Sequence, residues 1–275
     1  MDTPTSNKHW EEIATDFYLK WNFPMCFGAL DGKHIKIKPP PGSGSMYYNY
    51  KGDFSIVLLA LVDANLKFIY VDVGTNGRIS DGGVWDKSKL KSLVERDELF
   101  LPAPNTLPGT DVNVPYVIVA DDAFPLTQYI MKPYPGRHLT KEKRIFNYRL
   151  SRARRIVENA FGILAARFRL FGTTILTSPQ KAQYFVLAAC CLHNLLRSKK
   201  ETTNLYTPEH SLDAEDFENN CIRKGTWNES TSKFISLQRS ARNGSQEAKD
   251  VRDRFCNYFN GIGSIPWQEA MCDLH

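Results

Sequence analysis

The stretch VIVADDAFPL, Val117–Leu126, decides how this chain is read. Four apolar residues, Val117 to Ala120, run directly into Asp121 and Asp122. A short apolar run of this kind reads as a buried strand. A carboxylate buried at its end costs several kcal/mol unless it is paired or holds a metal. Either the strand ends in solvent, or a cation binds at its tip. The sequence on both sides discriminates between these.

Upstream lie three β-like runs. Phe27–Lys38, FGALDGKHIKIK, alternates after Gly32, with Ile35 and Ile37 on one face and Lys36 and Lys38 on the other. Phe54–Ala64 is nearly all apolar, as a central strand would be. Lys67–Gly74 follows the turn Asp63-Ala64-Asn65, and the short connections suggest an antiparallel meander. The Pro/Gly/Ser- and Tyr-rich loop Pro39–Gly52 is expected to be exposed. Trp10, Ile13, Ala14, Phe17 and Trp21 have helical spacing ahead of Pro24. Asp81–Asp97 reads as one helix, and a Pro-rich connector, Leu101–Pro115, leads back to the opening strand.

Downstream, Thr140–Phe168 carries one apolar stripe: Phe146, Leu150, Ala153, Val157, Phe161, Leu164 and Phe168. A second apolar helix is predicted over Pro179–Arg197 and a short amphipathic one over Glu247–Phe259. Between them the composition turns polar, with an acidic patch at Asp213–Glu218, and reads as a linker or partly disordered. Three antiparallel strands, a helix, a further strand and then helices match the order of an RNase H-like α/β fold. That fold is a mixed sheet flanked by helices, here with an N-terminal helix and a C-terminal helical tail. Its fifth strand has one weak candidate, Tyr129–Tyr134. The expected organisation is an N-terminal helix over 1–22, the catalytic-type domain over 23–197, a polar linker over 198–240 and a C-terminal helix and tail over 241–275.

The 275 residues are 42% hydrophobic and 24% charged, an ordinary balance for a soluble domain. No apolar run approaches the roughly 20 residues of a membrane span, and no secretory signal is visible. None of the six cysteines forms a CxxC pair, which argues against a zinc ribbon. Free thiols suit a reducing, intracellular compartment. The formal charge of +5 is a weak pointer to a polyanionic partner, and its placement says more than its total.

In an RNase H-like sheet the first and fourth strands are neighbours, so Asp31 and Asp121 would lie side by side. Locally, Asp31-Gly32 is equally a turn signal. Glu158 sits at the border of the long helix's stripe, with Arg154 and Arg155 at i−4 and i−3. The bland reading of Glu158 is a surface salt bridge worth under about 1 kcal/mol. The sharper one is that it reaches the same sheet edge as the aspartates. Three hard oxygen ligands suit Mg²⁺ or Mn²⁺ and two-metal phosphodiester chemistry. Lys33, His34, Lys36 and Lys38 follow Asp31, and Lys141, Lys143, Arg144, Arg149, Arg152, Arg154 and Arg155 crowd the helix before Glu158. Such a run is either a solvated helix face or, beside a carboxylate cluster, a surface for the DNA backbone. Lys33, His34, Lys36, Arg149, Arg152 and Arg155 are the DNA-binding candidates. His193, on the apolar helix, reads as a satisfied core histidine.

GALDGKHI, VADDAFPL and RRIVENAFGILAARFR, with GRISDGG, CCLHNLL and VRDRFCNYFNGIGSIPWQ, resemble the PIF/Harbinger family of DDE transposases and their domesticated nuclease-like relatives. The likeness covers roughly Asn22–Arg197 and returns near the C-terminus. It implies an RNase H-like core that cuts DNA with Mg²⁺ or Mn²⁺, in the nucleus or also the cytoplasm. The family's acidic positions fall on Asp31, Asp121 and Glu158 as catalytic metal ligands. Asp122 stands where the family often has serine. A further family aspartate falls on Asp81 as a fourth metal ligand; as a bare sequence feature Asp81 is a helix N-cap candidate. Family members carry a helix-turn-helix ahead of the core, whereas one predicted helix precedes Asp31 here. Target recognition is then either lost or supplied by the separate Myb/SANT-like DNA-binding partner that the resemblance suggests; a homo-oligomer is also compatible with the sequence. Two functions remain in view: an active endonuclease, and a domesticated, non-catalytic DNA- or chromatin-associated protein that keeps the fold. A metal hydrolase acting on other substrates is a third reading, against which the basic helix argues.

Overall fold

A computed structural model describes residues 3–79, 81–229, 234–238 and 244–272, without the side chains of residues 81, 82 and 200. Strands β1 (Cys26–Lys36), β2 (Ser55–Val62) and β3 (Phe68–Asn76) form the antiparallel meander. The tight β2–β3 turn is built by Asp63, whose Oδ1 accepts from the N–H groups of Asn65 and Lys67 at 2.8 and 2.9 Å. That arrangement supports Leu66 at a positive φ of 67°. Every residue of β2 is buried, which accounts for its unbroken apolar run.

The stretch that opened the sequence reading becomes β4 (Val117–Ala120), and Ile130–Met131 becomes β5. Both run parallel to their neighbours, in the order β3-β2-β1-β4-β5. The weak candidate Tyr129–Tyr134 thus supplies the fifth strand of an RNase H-like mixed sheet. In the β1–β4 ladder Ala29 pairs with Val119 and Leu30 with Ala120.

Helices flank this sheet. α1 (Asn7–Trp21) is capped by Ser6, buries Trp10 and Phe17, and packs on β1. The single helix expected over Asp81–Asp97 is instead two, α2 (Asp81–Lys87) and α3 (Lys89–Glu95). Ser88 breaks them: its backbone is extended and its hydroxyl accepts from Lys91 N–H at 3.1 Å as the α3 cap. α4 (Lys141–Arg167) has 27 residues and runs beneath β1, β2 and β4. α5 (Pro179–Ser198) packs on β3, with His193 buried and bonded to Tyr206 Oη and Leu66 O at 2.8 and 2.7 Å. It is a core histidine, as its apolar surroundings in the sequence suggest. Among the described residues no helix is long and apolar enough to cross a membrane.

The stretch read as a polar linker, 198–240, is folded where it is described. It forms α6 (Lys200–Tyr206), a hairpin of β6 (Ala214–Asp216) and β7 (Cys221–Arg223), and β8 (Ile235–Ser236). Part of its polarity is used in buried bonds, although many of its polar side chains remain exposed. Asp213 accepts from Gly225 N–H at 2.7 Å and Asn228 Nδ2 at 2.8 Å, while its own N–H donates to Asn159 of α4 at 3.0 Å. β8 pairs antiparallel with β1, Lys33 with Ser236 and His34 with Ile235, on the edge that β4 leaves free after Ala120. α7 (Gln246–Asn260) and α8 (Gln268–Cys272) then pack on α4.

Candidate active site

Asp31 lies on β1 and is 1% exposed. Its Oδ1 accepts from Gly32 N–H at 2.7 Å. Its Oδ2 lies 2.7 Å from Lys33 Nζ without hydrogen-bond geometry, and is buried with no hydrogen-bond partner. Asp121 is the first residue after β4, and its Oδ1 accepts from Ala123 N–H at 3.0 Å. Burial pushes the Asp121 carboxyl above the usual carboxylate range and the neighbouring Asp31 charge adds to this; Arg154, the Ala123 N–H and Lys33 pull the other way. The β1–β4 register therefore brings two repelling carboxylates into one neighbourhood.

Glu158 lies on α4, one turn after Arg154, and borders the same cavity as Lys33. The Arg154 guanidinium donates to Glu158 Oε1. Burial alone would lower Arg154, but Glu158, Asp31 and Asp121 together hold it above its ordinary range. Arg154 thus senses all three acids. A cavity of about 380 Å³ opens beside Glu158, lined by Lys33, Phe161, Lys224, Trp227 and Phe234 among others. Lys33 Nζ also donates to Ser236 Oγ at 3.1 Å and lies over the Phe161 ring.

The donor set fits a hard divalent cation in part. Two carboxylates share one end of the sheet, and the buried Asp31 Oδ2 has no hydrogen bond and only the Lys33 ammonium, 2.7 Å away, as a partner, which a metal cation could replace. Glu158, however, is drawn to Arg154, and the described residues hold no group of three His, Cys, Asp or Glu side chains disposed around one ion. The bland expectation for Glu158, a helical ion pair at i,i+4, is the one realised in this structure. Asp81 begins α2, but its side chain lies outside the described residues. Asp122 is paired instead with Lys132, Nζ to Oδ1 at 2.9 Å.

The basic candidates divide sharply. Lys33 borders the cavity. His34 does not meet solvent: it is 1% exposed, bonded to Ser55 Oγ at 3.0 Å, and burial pushes its imidazole down to about 4. Ser55 Oγ also accepts from Asn49 Nδ2 at 2.9 Å, and with its titration lowered to about 4 the ring is neutral at pH 7. Lys36 pairs with Asp53 at 2.7 Å. Arg149, Arg152 and Arg155, expected to hold DNA, are buried struts. Arg149 donates to Gly263 O, Gln268 Oε1 and Asn22 O and stacks on Phe259. Arg152 and Arg155 share Glu215 of β6, with Arg152 set among Trp21, Phe217 and Trp267. A guanidinium so enclosed has no face to offer a phosphate. The sequence shows only that α4 is basic; the hydrogen-bond and ion-pair partners of these three arginines lie 60 to 127 positions away.

Lys224, Trp227 and Phe234 are not among the expected site residues, because the polar composition of their segment predicts a linker. The available signal was the aromatic residues Phe217, Trp227 and Phe234 within an otherwise polar run.

Comparison with known proteins agrees with this architecture. A protein called "Protein ALP1-like" from Arabidopsis thaliana is 27% identical over 197 residues, 70% of this chain and 48% of its own length. The protein named "Putative nuclease HARBI1" is 24% identical over 230 residues in Xenopus laevis, 80% of this chain and 62% of that protein. The mouse protein of the same name is 27% identical over 188 residues, 67% of this chain and 50% of its own length. The chain thus spans about half to three-fifths of the length of these relatives. No solved structure gives a significant match. The likeness to these proteins accords with the Harbinger-type motifs, and the family profile described as "DDE superfamily endonuclease" matches residues 30–194, more than half of the chain: the chain belongs to the DDE superfamily of endonucleases.

Proposed function

We propose that this chain is a divalent-metal-dependent DNA endonuclease of transposase origin, acting in the nucleus. The observation that carries the reading is the pairing of Leu30 with Ala120, which sets Asp31 and Asp121 on adjacent strand ends, where Asp31 Oδ2 is held by the Lys33 ammonium alone. Asp31 and Asp121 would hold Mg²⁺ or Mn²⁺, with Glu158 joining when it leaves Arg154. Bound there, such ions supply activation of water and stabilisation of the leaving oxygen. The chain's own residues do the rest. Lys33 neutralises Asp31 and faces the cavity, where a phosphate can approach. Phe161 and Trp227 form its apolar wall. The reaction is hydrolysis: water attacks phosphorus and its oxygen stays on the 5′-phosphate, the P–O3′ bond breaks, O3′ takes up a proton to leave as a hydroxyl, and the remaining proton of the water passes to solvent.

The test is nicking of supercoiled plasmid with Mn²⁺, Mg²⁺ or EDTA, using the wild type, Asp31→Asn and Asp121→Asn. Metal-dependent nicking lost in both variants supports the reading. A second reading, a DNA-bound protein without catalysis, is favoured by one observation: Glu158 is engaged by Arg154. DNA binding with no cleavage in either metal would select it. Sequence selectivity is expected to come from a separate DNA-binding partner.

A further inference from the structure

Arg154 is the cation already inside the acidic cluster. It lies one helical turn before Glu158 and donates to it, with the Arg154 side chain 17% exposed and that of Glu158 39%. An exposed i,i+4 pair needs no further account. This pair differs in two ways. Arg154 Nε is buried without a hydrogen-bond partner, so the guanidinium is not satisfied by Glu158 alone. Its charge also interacts with Asp31 on β1 and with Asp121 after β4, elements far apart in sequence. Two cations, Arg154 and Lys33, therefore face three carboxylates.

We propose that Arg154 is a positioning residue that holds Glu158 in a metal-free resting pose and competes with divalent metal for the acidic site. This rests on the metal-dependent reading above. Metal loading requires Glu158 to exchange a guanidinium for a cation, and the positive charge beside Asp31 and Asp121 opposes the incoming ion throughout. The benefit of the arrangement is that the negative charge of Glu158, Asp31 and Asp121 is partly offset without metal. The consequence is weakened metal affinity in the absence of DNA.

The experiment titrates the folded full chain with Mn²⁺, followed by the loss of free-ion EPR signal, without DNA. Wild type, Arg154→Lys, Arg154→Gln and Glu158→Gln are compared. Removing one nearby positive charge should tighten Mn²⁺ binding about fivefold or more in Arg154→Gln. Arg154→Lys keeps the charge as a hydrated point without the guanidinium fork, so its Kd should fall between the two. Glu158→Gln should bind more weakly than wild type. Unchanged affinity in Arg154→Gln would reduce the pair to a structural contact and overturn the proposal. Weaker affinity would overturn it too, because Arg154 would then assist metal binding. Should the Gln variant fail to fold, Arg154→Lys decides by the same criterion. If neither wild type nor any variant binds Mn²⁺ while folded, the metal-dependent reading fails first and takes this proposal with it.

Discussion

Leu30 pairs with Ala120 in the parallel ladder between β1 and β4, so Asp31 and Asp121 are the next residues on adjacent strands. In a parallel pair the two chains advance in the same direction, so equal steps beyond a shared register point keep residues abreast. β4 then ends and β1 continues under β8. The acidic pair therefore stands where one strand stops and another takes its place along the same edge.

That geometry separates Asp121 from Asp122. Asp121→Asn should lose more than about 100-fold in plasmid nicking, beyond the 10–100-fold typical of outer partners of a metal site. Asp122→Ser should keep activity within a few-fold. It removes a partly exposed pair with Lys132, whose Nζ still donates to the Asp122 backbone carbonyl at 3.0 Å. The expected stability loss is about 1 kcal/mol. Comparable nicking defects in both variants would refute the distinction.

Arg149 should matter to folding and not directly to DNA. Arg149→Ala strips donors from Gly263 O, Gln268 Oε1 and Asn22 O and empties the space over Phe259. Buried acceptors left unpaired, with the lost packing, should reduce stability by about 3 kcal/mol in urea denaturation. At temperatures where the variant is still folded, the salt dependence of its DNA binding should match wild type.

Acid should destabilise the chain through two buried histidines. Burial pushes both His34 and His193 down to about 4. Their ordinary value is near 6.5, so below that pH the unfolded chain binds protons that the folded chain refuses. The stability they contribute is whole above about 6.5, declines as pH falls and is gone near 4. Each adds up to about 1.4 kcal/mol per pH unit inside that window. Urea midpoints measured from pH 7 to pH 4 should fall, and His193→Gln should flatten the slope. A flat profile over this range would contradict neutral buried rings.

The catalytic-type sheet was legible because its signals are local. β2 is a continuous apolar run, β1 alternates after Gly32, and α4 shows one stripe whose ends fall within a residue of the expected Thr140 and Phe168. The two aspartates were legible because strand order fixes which ends meet. The fate of the arginines was not, since Arg149, Arg152 and Arg155 find acceptors on α8, β6 and the end of α1, and helix periodicity carries no such information. For the same reason 198–238 looked like a linker. Its cohesion rests on Asp213, Glu215 and Trp227 bonding to α4, and composition counts them as solvated or incidental.

Gly162 tests whether that segment is a working part of the site. A methyl group at Gly162 would lie 2.2 Å from the Trp227 ring, so Trp227 must move. Trp227 Nε1 donates to Asn159 Oδ1 at 2.9 Å, and this bond should be lost with the movement. Gly162→Ala should cost about 1–3 kcal/mol, as overpacking does. It should also raise protease sensitivity within 210–229 ahead of global unfolding. A proteolysis pattern equal to wild type would mean that the ring is not seated on α4.

DNA affinity should depend on the lysines at the cavity and not on the buried arginines. Lys33 and Lys224 line the space beside Glu158, and the Lys224 side chain is 68% exposed with Asp213 at 3.4 Å. Lys36 is already committed to Asp53. Each phosphate neutralised by the protein steepens the logarithmic salt dependence by about 0.9 on duplex DNA. Lys224→Ala should thus weaken binding and lower that slope by up to about one unit, and Lys33→Ala by the same amount if the phosphate draws Lys33 from Asp31. Lys36→Ala should leave the slope unchanged. Such contacts read the backbone and not the bases, so scrambled duplexes should bind the isolated chain about equally well. The measurement is fluorescence anisotropy on two unrelated duplexes across a salt series. An unaltered slope in Lys224→Ala, or a marked preference for one duplex, would place the DNA on a different face of the molecule from the cavity beside Glu158.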